Sequence, residues 1–232
     1  MKTVLQFSGG KDSLACLYLL QPRWSEITVA WMNTGTALPE TLALMREVRR
    51  MVPHFLEMRS DVLTDVAERG WPTDVLPVAN GPGRDYRGLG GIKLRTSFDC
   101  CARNVWIPMG AIMKQIGATE VIRGQRNAER LKSTIRDGHV EDGITYRFPI
   151  QDWSEEQVRA FLSERGALPE YYQHIETSLD CWNCTAYLEE KASHVRYLRD
   201  RHPDRYAIVS EKLREIRVAV EIAIEPLMGL AL

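Results

Sequence analysis

The chain lacks a long apolar run. No window of its 232 residues is apolar over the roughly 20 positions that a transmembrane helix needs. It also lacks a charge excess, because 30 lysines and arginines face 31 aspartates and glutamates, for a net charge of −1. Composition therefore points neither to a membrane surface nor to a nucleic acid as partner. The N-terminal residues do not have the pattern of a signal peptide, and we expect a cytoplasmic protein.

The sequence has no pattern of a disulfide scaffold. In a cytoplasmic protein its five cysteines are expected to be thiols, metal ligands or catalysts rather than disulfides. Cys16 lies in an apolar segment and is predicted to be a core thiol. The others form two pairs, Cys100-Cys101 and Cys181-Trp182-Asn183-Cys184. Two thiolate pairs suit an iron–sulfur cluster or a tetrahedral zinc ion. We favour the cluster, because neighbouring cysteines diverge from one backbone and a four-iron cluster tolerates that better.

A glycine-rich loop follows the first apolar run. It reads Ser8-Gly9-Gly10-Lys11-Asp12-Ser13 and lies between a β-branched stretch, 4–7, and an apolar segment, 14–20. Strand, glycine turn and helix together aim backbone N–H groups and the positive helix end at an anion. Lys11 adds a charge, and the serine hydroxyls can donate hydrogen bonds. The spacing is not that of a Walker A loop, but it predicts a phosphate site.

Apolar strands alternate with helical segments along the chain. Strands are predicted over 27–32, 54–58, 119–124 and 146–150, and helices over 39–51, 60–69, 103–117 and 154–162. This alternation predicts an α/β fold with a doubly wound parallel sheet. We expect a nucleotide-binding domain over 1–188, which includes the cysteine pairs, and a helical C-terminal segment over 189–232, interrupted at Pro203. The Gly- and Pro-rich stretch 77–91, with Arg84 and Arg87, is predicted to be a mobile loop that closes over a substrate.

Ligands bind beyond the carboxyl ends of parallel strands. Two further turns are predicted to lie there with the phosphate loop, Asn33-Thr34-Gly35 and Gly124-Gln125-Arg126. Arg126 and Arg123 are candidates to neutralise the anion, and Lys11 and Arg126 are candidates for catalysis. Lys93 and Arg95, near the first cysteine pair, are candidates to contact a phosphate or to tune a cluster electrostatically.

Six segments, in order, resemble the adenylylsulfate and phosphoadenylylsulfate (PAPS) reductases. They are the phosphate loop, which is also similar to that of the PP-loop ATP pyrophosphatase superfamily; Asn33 to Thr41, with Asn in place of the family's Asp; Cys100-Cys101 with Pro108; Gly124-Gln125-Arg126; Tyr146 to Trp153; and Cys181 to Thr185. The resemblance covers about 2–187. It implies an adenine nucleotide α-hydrolase-like fold, a 4Fe–4S cluster on Cys100, Cys101, Cys181 and Cys184, and an adenylylated sulfate that is reduced to sulfite.

The same resemblance implies a nucleophilic cysteine in a C-terminal tail and thioredoxin as reductant. No cysteine follows Cys184 in this sequence, so we expect a partner such as thioredoxin to supply the thiol. Two alternatives stay open. The first is an ATP-dependent adenylating sulfurtransferase of the nucleic-acid thiolation or phosphorothioation type. The second is a non-catalytic subunit that binds nucleotide and cluster.

Overall fold

A computed structural model describes residues 2–75, 86–89, 91–129, 135–179, 181–186 and 191–229, with backbone alone for 86–89 and for Leu227. Its strands are β1 (Thr3–Gln6), β2 (Ile27–Asn33), β3 (Phe55–Arg59), β4 (Trp71–Thr73), β5 (Tyr86–Leu89), β6 (Ile92–Thr96), β7 (Glu120–Ile122), β8 (Val140–Glu141) and β9 (Ile144–Arg147). Its α-helices are α1 (Lys11–Leu19), α2 (Pro39–Met51), α3 (Val62–Arg69), α4 (Ser97–Cys101), α5 (Ile107–Gln115), α6 (Glu155–Ser163), α7 (Ala192–Arg201) and α8 (Pro203–Met228).

The main sheet has the strand order β3-β2-β1-β7-β9-β8. Its first five strands pair in parallel, and β8 pairs antiparallel with β9 at one edge. The chain leaves β1 towards β2 on one side and reaches β7 on the other, so the order reverses at β1. A ligand crevice is expected at such a reversal, beyond the carboxyl ends of the strands. The predicted doubly wound α/β sheet is confirmed.

Side chains of β1 alternate between two cores. Leu5 points into a cluster that α1, α2 and α6 cover, with Leu14, Val48 and Val158 from those helices. Val4 points to the opposite face, where α5 contributes Met113. This alternation has the period of two that a strand buried on both faces requires. Because both faces of β1 are packed, the end of the strand and the phosphate loop that follows are held between two core layers.

A second, three-stranded sheet was not predicted. Its order is β4-β6-β5, and it shares a third core cluster with α7 and α8 through Trp71, Leu94 and Leu198. The predicted loop over 77–91 is therefore wrong for Tyr86–Leu89, which is a strand. Arg84 lies outside the described residues, as does the side chain of Arg87.

Other boundaries shift by a few residues. The predicted helix over 103–117 begins earlier, at Ser97, where the Thr96 side chain accepts a hydrogen bond from the Asp99 N–H. It then passes through a π-helical turn, Ala102–Trp106, into α5. The break at Pro203 is confirmed, since α7 ends at Arg201 and α8 starts at Pro203. None of the helices in the described ranges is long and apolar enough to cross a bilayer.

A half-buried polar contact ties the C-terminal helices to α2. The Glu40 carboxylate accepts a hydrogen bond from Tyr197 Oη at 2.8 Å and bonds His202 Nε2 at 2.9 Å. Burial by itself would raise the pKa of Glu40, but its own backbone N–H, Tyr197 and His202 hold the pKa below its usual range. The division into 1–188 and 189–232 stays a prediction, and this contact would join its two parts.

We expect Glu40→Gln to lower the free energy of unfolding by roughly 1 kcal/mol at neutral pH, because it weakens the bonds to Tyr197 and His202. A carboxylate with a lowered folded-state pKa stabilises the fold above its unfolded pKa, near 4.3, and that contribution disappears as pH falls through the folded value. Urea denaturation should therefore show the wild type and the variant converging in acid. Glu47→Gln, on the exposed face of the same helix, is the control. A difference that persists at acid pH would contradict this account.

Candidate functional site: a phosphate loop beside two cysteine pairs

The phosphate loop is held in shape by its own side chains. Gly9 has φ +87°, a backbone conformation that side chains disfavour. Ser8 Oγ accepts from the Gly10 N–H at 3.2 Å, and Ser13 Oγ donates to the Gly10 carbonyl at 2.9 Å. Gly10 is the N-cap of α1, so the loop delivers the chain directly into the positive end of that helix. The predicted strand–turn–helix is present.

Two of the predicted cations of the phosphate site, Lys11 and Arg126, are buried and share the carboxylates of Asp12 and Glu155. Lys11 Nζ lies 3.1 Å from Glu155 Oε2 and 3.4 Å from Asp12 Oδ2. Arg126 lies 2.6 Å from Asp12 Oδ1 through Nε and 2.9 Å from Glu155 Oε2 through Nη2. Burial would raise the pKa of Glu155, but Lys11 and Arg159 outweigh it and hold the pKa below its usual range. Two acids thus position two cations at the loop.

Two contacts press the loop against its neighbours. A Cβ on Gly124, just after β7, would lie 2.5 Å from the Asp12 carbonyl carbon, so only glycine lets β7 approach the start of α1 this closely. On the other side, Tyr172 Oη accepts from the Lys11 N–H at 2.7 Å. The Lys11 amide, which we had expected to face a ligand, is therefore bonded to a tyrosine hydroxyl.

A cleft of about 1300 Å³ opens beyond the carboxyl ends of β1 and β7. Its polar wall is built from the phosphate loop and the turn after β7, with Ser8, Gly10, Lys11, Ser13, Gly124 and Arg126. Its apolar wall carries Met32, Val105, Trp106, Met109, Met113 and Ile144, several of which belong to the core cluster on the α5 face. The cleft therefore offers an anion site and an apolar surface side by side, which is the chemistry of a nucleotide site.

Arg123 stands between the two walls. Its Nε donates to Gln6 Oε1 at 2.6 Å, and its guanidinium lies 4.9 Å from the ring centre of Tyr146. Both of these partners are neutral, so the charge of Arg123 faces the cleft without the carboxylates that hold Lys11 and Arg126. The predicted anion role of Arg123 stays a prediction that this placement suits.

The turn after β2 points to the cysteines and to a neighbouring strand. Asn33 Nδ2 donates to Glu57 Oε1 at 2.9 Å, and its Oδ1 accepts from the Gly35 N–H at 3.0 Å. Thr34 Oγ1 lies 3.2 Å from Cys181 Sγ. In the described lining of the cleft, β2 is represented by Met32 and not by Asn33, Thr34 or Gly35. Their role at the nucleotide stays a prediction.

The two cysteine pairs come together across the small sheet. Thr185, next to Cys184, bridges to Thr73 of β4 and donates through its hydroxyl to the Pro72 carbonyl at 2.8 Å. Strand β4 pairs with β6, which leads into α4 and the first cysteine pair. Burial raises the pKa of the Cys100 thiol to about 12 against the opposing effect of Arg95, and the nearby thiols of Cys181 and Cys184 add to the rise.

The polar groups around these sulfurs fit a thiolate-bound group. Arg95 Nη2 donates to Cys100 Sγ at 3.2 Å. Asn183 lies between the two cysteines of the second pair and is 1% exposed, and neither its amide oxygen nor its amide nitrogen has a hydrogen-bond partner among the described residues. A buried amide without a partner is costly, which indicates a missing bonding group nearby.

The two candidate cofactors need different arrangements of the sulfurs. Among the described side chains, no three His, Cys, Asp or Glu residues stand close enough to hold one metal ion. A single zinc ion needs its thiolates at about 2.3 Å. A four-iron cluster spreads its four ligands over four metal atoms, and the cysteines present are compatible with such a cluster. No disulfide joins any of the five cysteines, all of which lie in the described ranges, and burial raises the pKa of Cys16 to about 12, in keeping with a core thiol.

Several site residues were not predicted. Glu155 was assigned to a helix start, which it occupies, but its pairing with Lys11 and Arg126 depends on α6 packing beside α1. Tyr172 and Ser178 belong to no recognisable sequence motif. A Cβ on Gly10 would lie 3.4 Å from Ser178 Cβ, so the segment that ends in Cys181 touches the phosphate loop. No spacing in the sequence could reveal these contacts.

Fold and site together define an α/β protein of the PP-loop type, with the loop at the central strand of the sheet. The sequence matches the model of the phosphoadenosine phosphosulfate reductase domain over residues 2–187, and the chain belongs to this family. The resemblance predicted from its motifs is confirmed. Family members are enzymes that act on nucleotides or on sulfur.

Three solved structures are similar to this chain at low sequence identity. The crystal structure of PAPS reductase from Candida auris, a phosphate complex, superposes with a TM-score of 0.55 at 18% identity and covers 80% of this chain and 84% of that one. The U34-tRNA thiolase of Methanococcus maripaludis with its 4Fe–4S cluster has a TM-score of 0.46 at 12% identity, and the match covers 94% of this chain and 72% of that one. Yeast FAD synthetase in complex with FAD has a TM-score of 0.40 at 9% identity, and the match covers 69% of this chain and 48% of that one. No curated protein matches the sequence.

Proposed function

We propose that this protein is a PAPS reductase-like enzyme of sulfur metabolism. It binds an adenine nucleotide in the cleft, with the phosphate or sulfate groups on the Ser8–Ser13 loop and the base against the apolar wall. Beside the nucleotide, Cys100, Cys101, Cys181 and Cys184 hold a 4Fe–4S cluster. The contact of Ser178 with Gly10, three residues before Cys181, carries the proposal, because it brings the cysteine site to the phosphate loop.

The chain's own groups bind and orient the nucleotide. The N-terminal end of α1 and Lys11 attract the anionic groups, and Arg126 and Arg123 offset further charge. Glu155 positions Lys11 and Arg126 before the nucleotide binds. The anion then replaces Glu155 as the partner of these two cations. The cluster, when bound, supplies electrostatic influence and electron-transfer capacity next to the scissile group.

Reduction of an adenylylated sulfate requires a thiolate nucleophile. Within these 232 residues, four cysteines belong to the candidate cluster and the fifth, Cys16, is buried in the core. The attacking thiol therefore comes from a partner such as thioredoxin. The thiolate bonds to the sulfur, the adenylate leaves, and a second thiol of the donor then releases sulfite by forming a disulfide.

One observation favours ATP-dependent adenylation as a second candidate. Asp12, Glu155 and Glu129 all line the phosphate end of the cleft. These acids repel a bare anion, whereas ATP arrives with magnesium, which offsets their charge. Cleavage between the α- and β-phosphates would release pyrophosphate and leave an adenylated acceptor for sulfur to enter.

Calorimetric titration with adenylylsulfate, PAPS and ATP tests nucleotide binding. Sulfite release with a dithiol donor supports the reductase, and pyrophosphate release from ATP supports the adenylating enzyme. If a nucleotide binds and neither product forms with any donor or acceptor, the chain is the non-catalytic subunit. Absence of binding by all three nucleotides would overturn the proposal.

We expect Lys11→Gln to weaken nucleotide binding by roughly 10- to 100-fold, because a hydrogen bond to a charged group contributes about 1.5–3 kcal/mol. The variant should still fold, since Arg126 and Arg159 remain as partners of Glu155. Calorimetry measures the loss. Lys114→Gln, a cleft lysine that pairs instead with Asp142 at 2.7 Å, is a matched comparison that should lose much less. Equal losses in the two variants would contradict the assigned position of the anion.

A further inference from the structure

Arg95 is the largest fully buried side chain in the described part of the protein, with 1% exposed. Its Nη2 lies 2.6 Å from Asp65 Oδ2 and 3.2 Å from Cys100 Sγ, and its Nη1 lies 3.4 Å from Asp99 Oδ2. Its Nε is buried without a hydrogen-bond partner among the described residues. A buried guanidinium carries a desolvation penalty of several kcal/mol, so its placement against a sulfur calls for an explanation.

Asp65 forms an ion pair with Arg95 and connects it to two partly exposed arginines. Its Oδ1 is paired with Arg69 at 3.2 Å and with Arg103 at 3.5 Å, both of which are partly exposed, while Oδ2 faces Arg95. Asn104 Nδ2 donates to Asp65 Oδ2 at 2.6 Å and to the Cys100 carbonyl at 3.0 Å. The carboxylate is thus fixed from several sides, and it fixes Arg95 on Cys100.

Arg95 also sits on the strand that connects the two cysteine pairs. Within the small sheet it is in register with Pro72, whose carbonyl accepts from Thr185 next to Cys184. Cys100 follows five residues after Arg95, in α4, the helix that comes directly after β6. The guanidinium is therefore placed by the same strands that bring the pairs together.

We propose that Arg95 is a positioning residue that raises the reduction potential of the cluster. The inference rests on the proposed function, and specifically on the cluster at the four cysteines. Reduction adds one electron and thus one negative charge to the site. A buried cation that donates a hydrogen bond to a ligand sulfur stabilises the more negative state, and a nearby carboxylate destabilises it. Arg95 and Asp65 therefore act on the potential with opposite signs.

The test measures the potential rather than turnover. The full chain and its variants Arg95→Gln and Asp65→Asn are prepared without oxygen, assayed for iron and sulfide, and titrated with redox mediators while electron paramagnetic resonance is recorded. We expect the potential to become more negative in Arg95→Gln and more positive in Asp65→Asn. The double variant keeps a hydrogen-bonded neutral pair of similar shape and should lie between the two. Arg69→Gln, which touches the same carboxylate at the surface and no cysteine, should shift the potential several-fold less.

The possible results test the presence of the cluster and the role of Arg95 separately. A wild-type chain that takes up no iron and sulfide overturns the cluster, and this inference with it. A loaded wild type whose potential is unchanged in Arg95→Gln overturns the inference alone. If Arg95→Gln does not fold, the comparison of Asp65→Asn with the double variant decides, because a double variant whose potential is no more negative than that of Asp65→Asn excludes an electrostatic role of Arg95. General damage to the site would not produce shifts of opposite sign.

Discussion

Gly124→Ala should lower nucleotide affinity by about 100-fold or more. The new Cβ would lie 2.5 Å from the Asp12 carbonyl carbon, 2.6 Å from the Ser13 nitrogen and 2.7 Å from the Asp12 oxygen. These are backbone atoms of the first turn of α1, which no side-chain rotation can move away. The helix start must shift away from β7, and a displacement of about 1 Å at a binding constellation costs on the order of 100-fold. Overpacking of this kind also destabilises a fold by roughly 1–3 kcal/mol.

Calorimetry and thermal unfolding of the same samples separate the two effects. Each kcal/mol lowers the Tm of a chain of this size by about 2–4 °C, so the variant should remain folded at 25 °C while binding is lost. Gly229→Ala, at the end of α8, is the control, because its Cβ would meet no atom within 4 Å. Normal affinity in Gly124→Ala would show that the anion does not depend on the position of the α1 N-terminus.

Cys181→Ser should remove the cluster. The wild type, purified without oxygen, is expected to be brown and to contain iron and sulfide. Serine is a much poorer ligand for iron than a thiolate, and the Cys181 sulfur also bonds Thr34 at the end of β2. Because cofactor binding is linked to folding, loss of the cluster should lower the Tm by about 10 °C or more. Absorbance, iron and sulfide analysis and thermal unfolding measure these changes.

Cys16→Ala is the matched control for removal of a thiol. Cys16 is fully buried in the core that α1, α2 and α6 cover, so this variant should stay brown and lose only a modest amount of stability. A colourless wild type with one zinc ion per chain would refute the iron–sulfur assignment. A Cys181→Ser protein that keeps its iron and sulfide would refute the assigned ligand.

The starts of helices could be predicted from the sequence, because they depend on interactions between residues close together in the chain. The predicted helix over 39–51 is α2, with Pro39 at its first position and Glu40 at the positive end of the helix dipole. The predicted helix over 154–162 is α6, which begins with a capping box in which Ser154 and Gln157 bond to each other's backbone. In both cases the residues that define the helix start lie within four positions of each other.

The small sheet escaped prediction because its strands carry weak local signals. Strand β4 has three residues, of which one is Pro72, and β5 lies in a stretch rich in glycine and proline. Proline lacks the N–H that a strand ladder uses, so the pattern favoured a loop. The strands form because Trp71 and Leu94 are buried against α7 and α8, which follow about a hundred residues later.

The amino-acid sequence alone was enough to predict the phosphate loop, the alternation of strands and helices, the two cysteine pairs and, through these, the family. Each of those features is encoded in neighbouring residues or in a repeating pattern. The packing of the folded chain was needed to show that Glu155 holds Lys11 and Arg126, that Ser178 joins the cysteine site to the phosphate loop, and that Arg95 is the cation on Cys100. Most of these contacts link residues far apart in the chain. The Arg95 contact spans only five positions, but its burial and pairing with Asp65 depend on the small sheet. All of them therefore follow from how the sheets and helices pack, which no local spacing specifies.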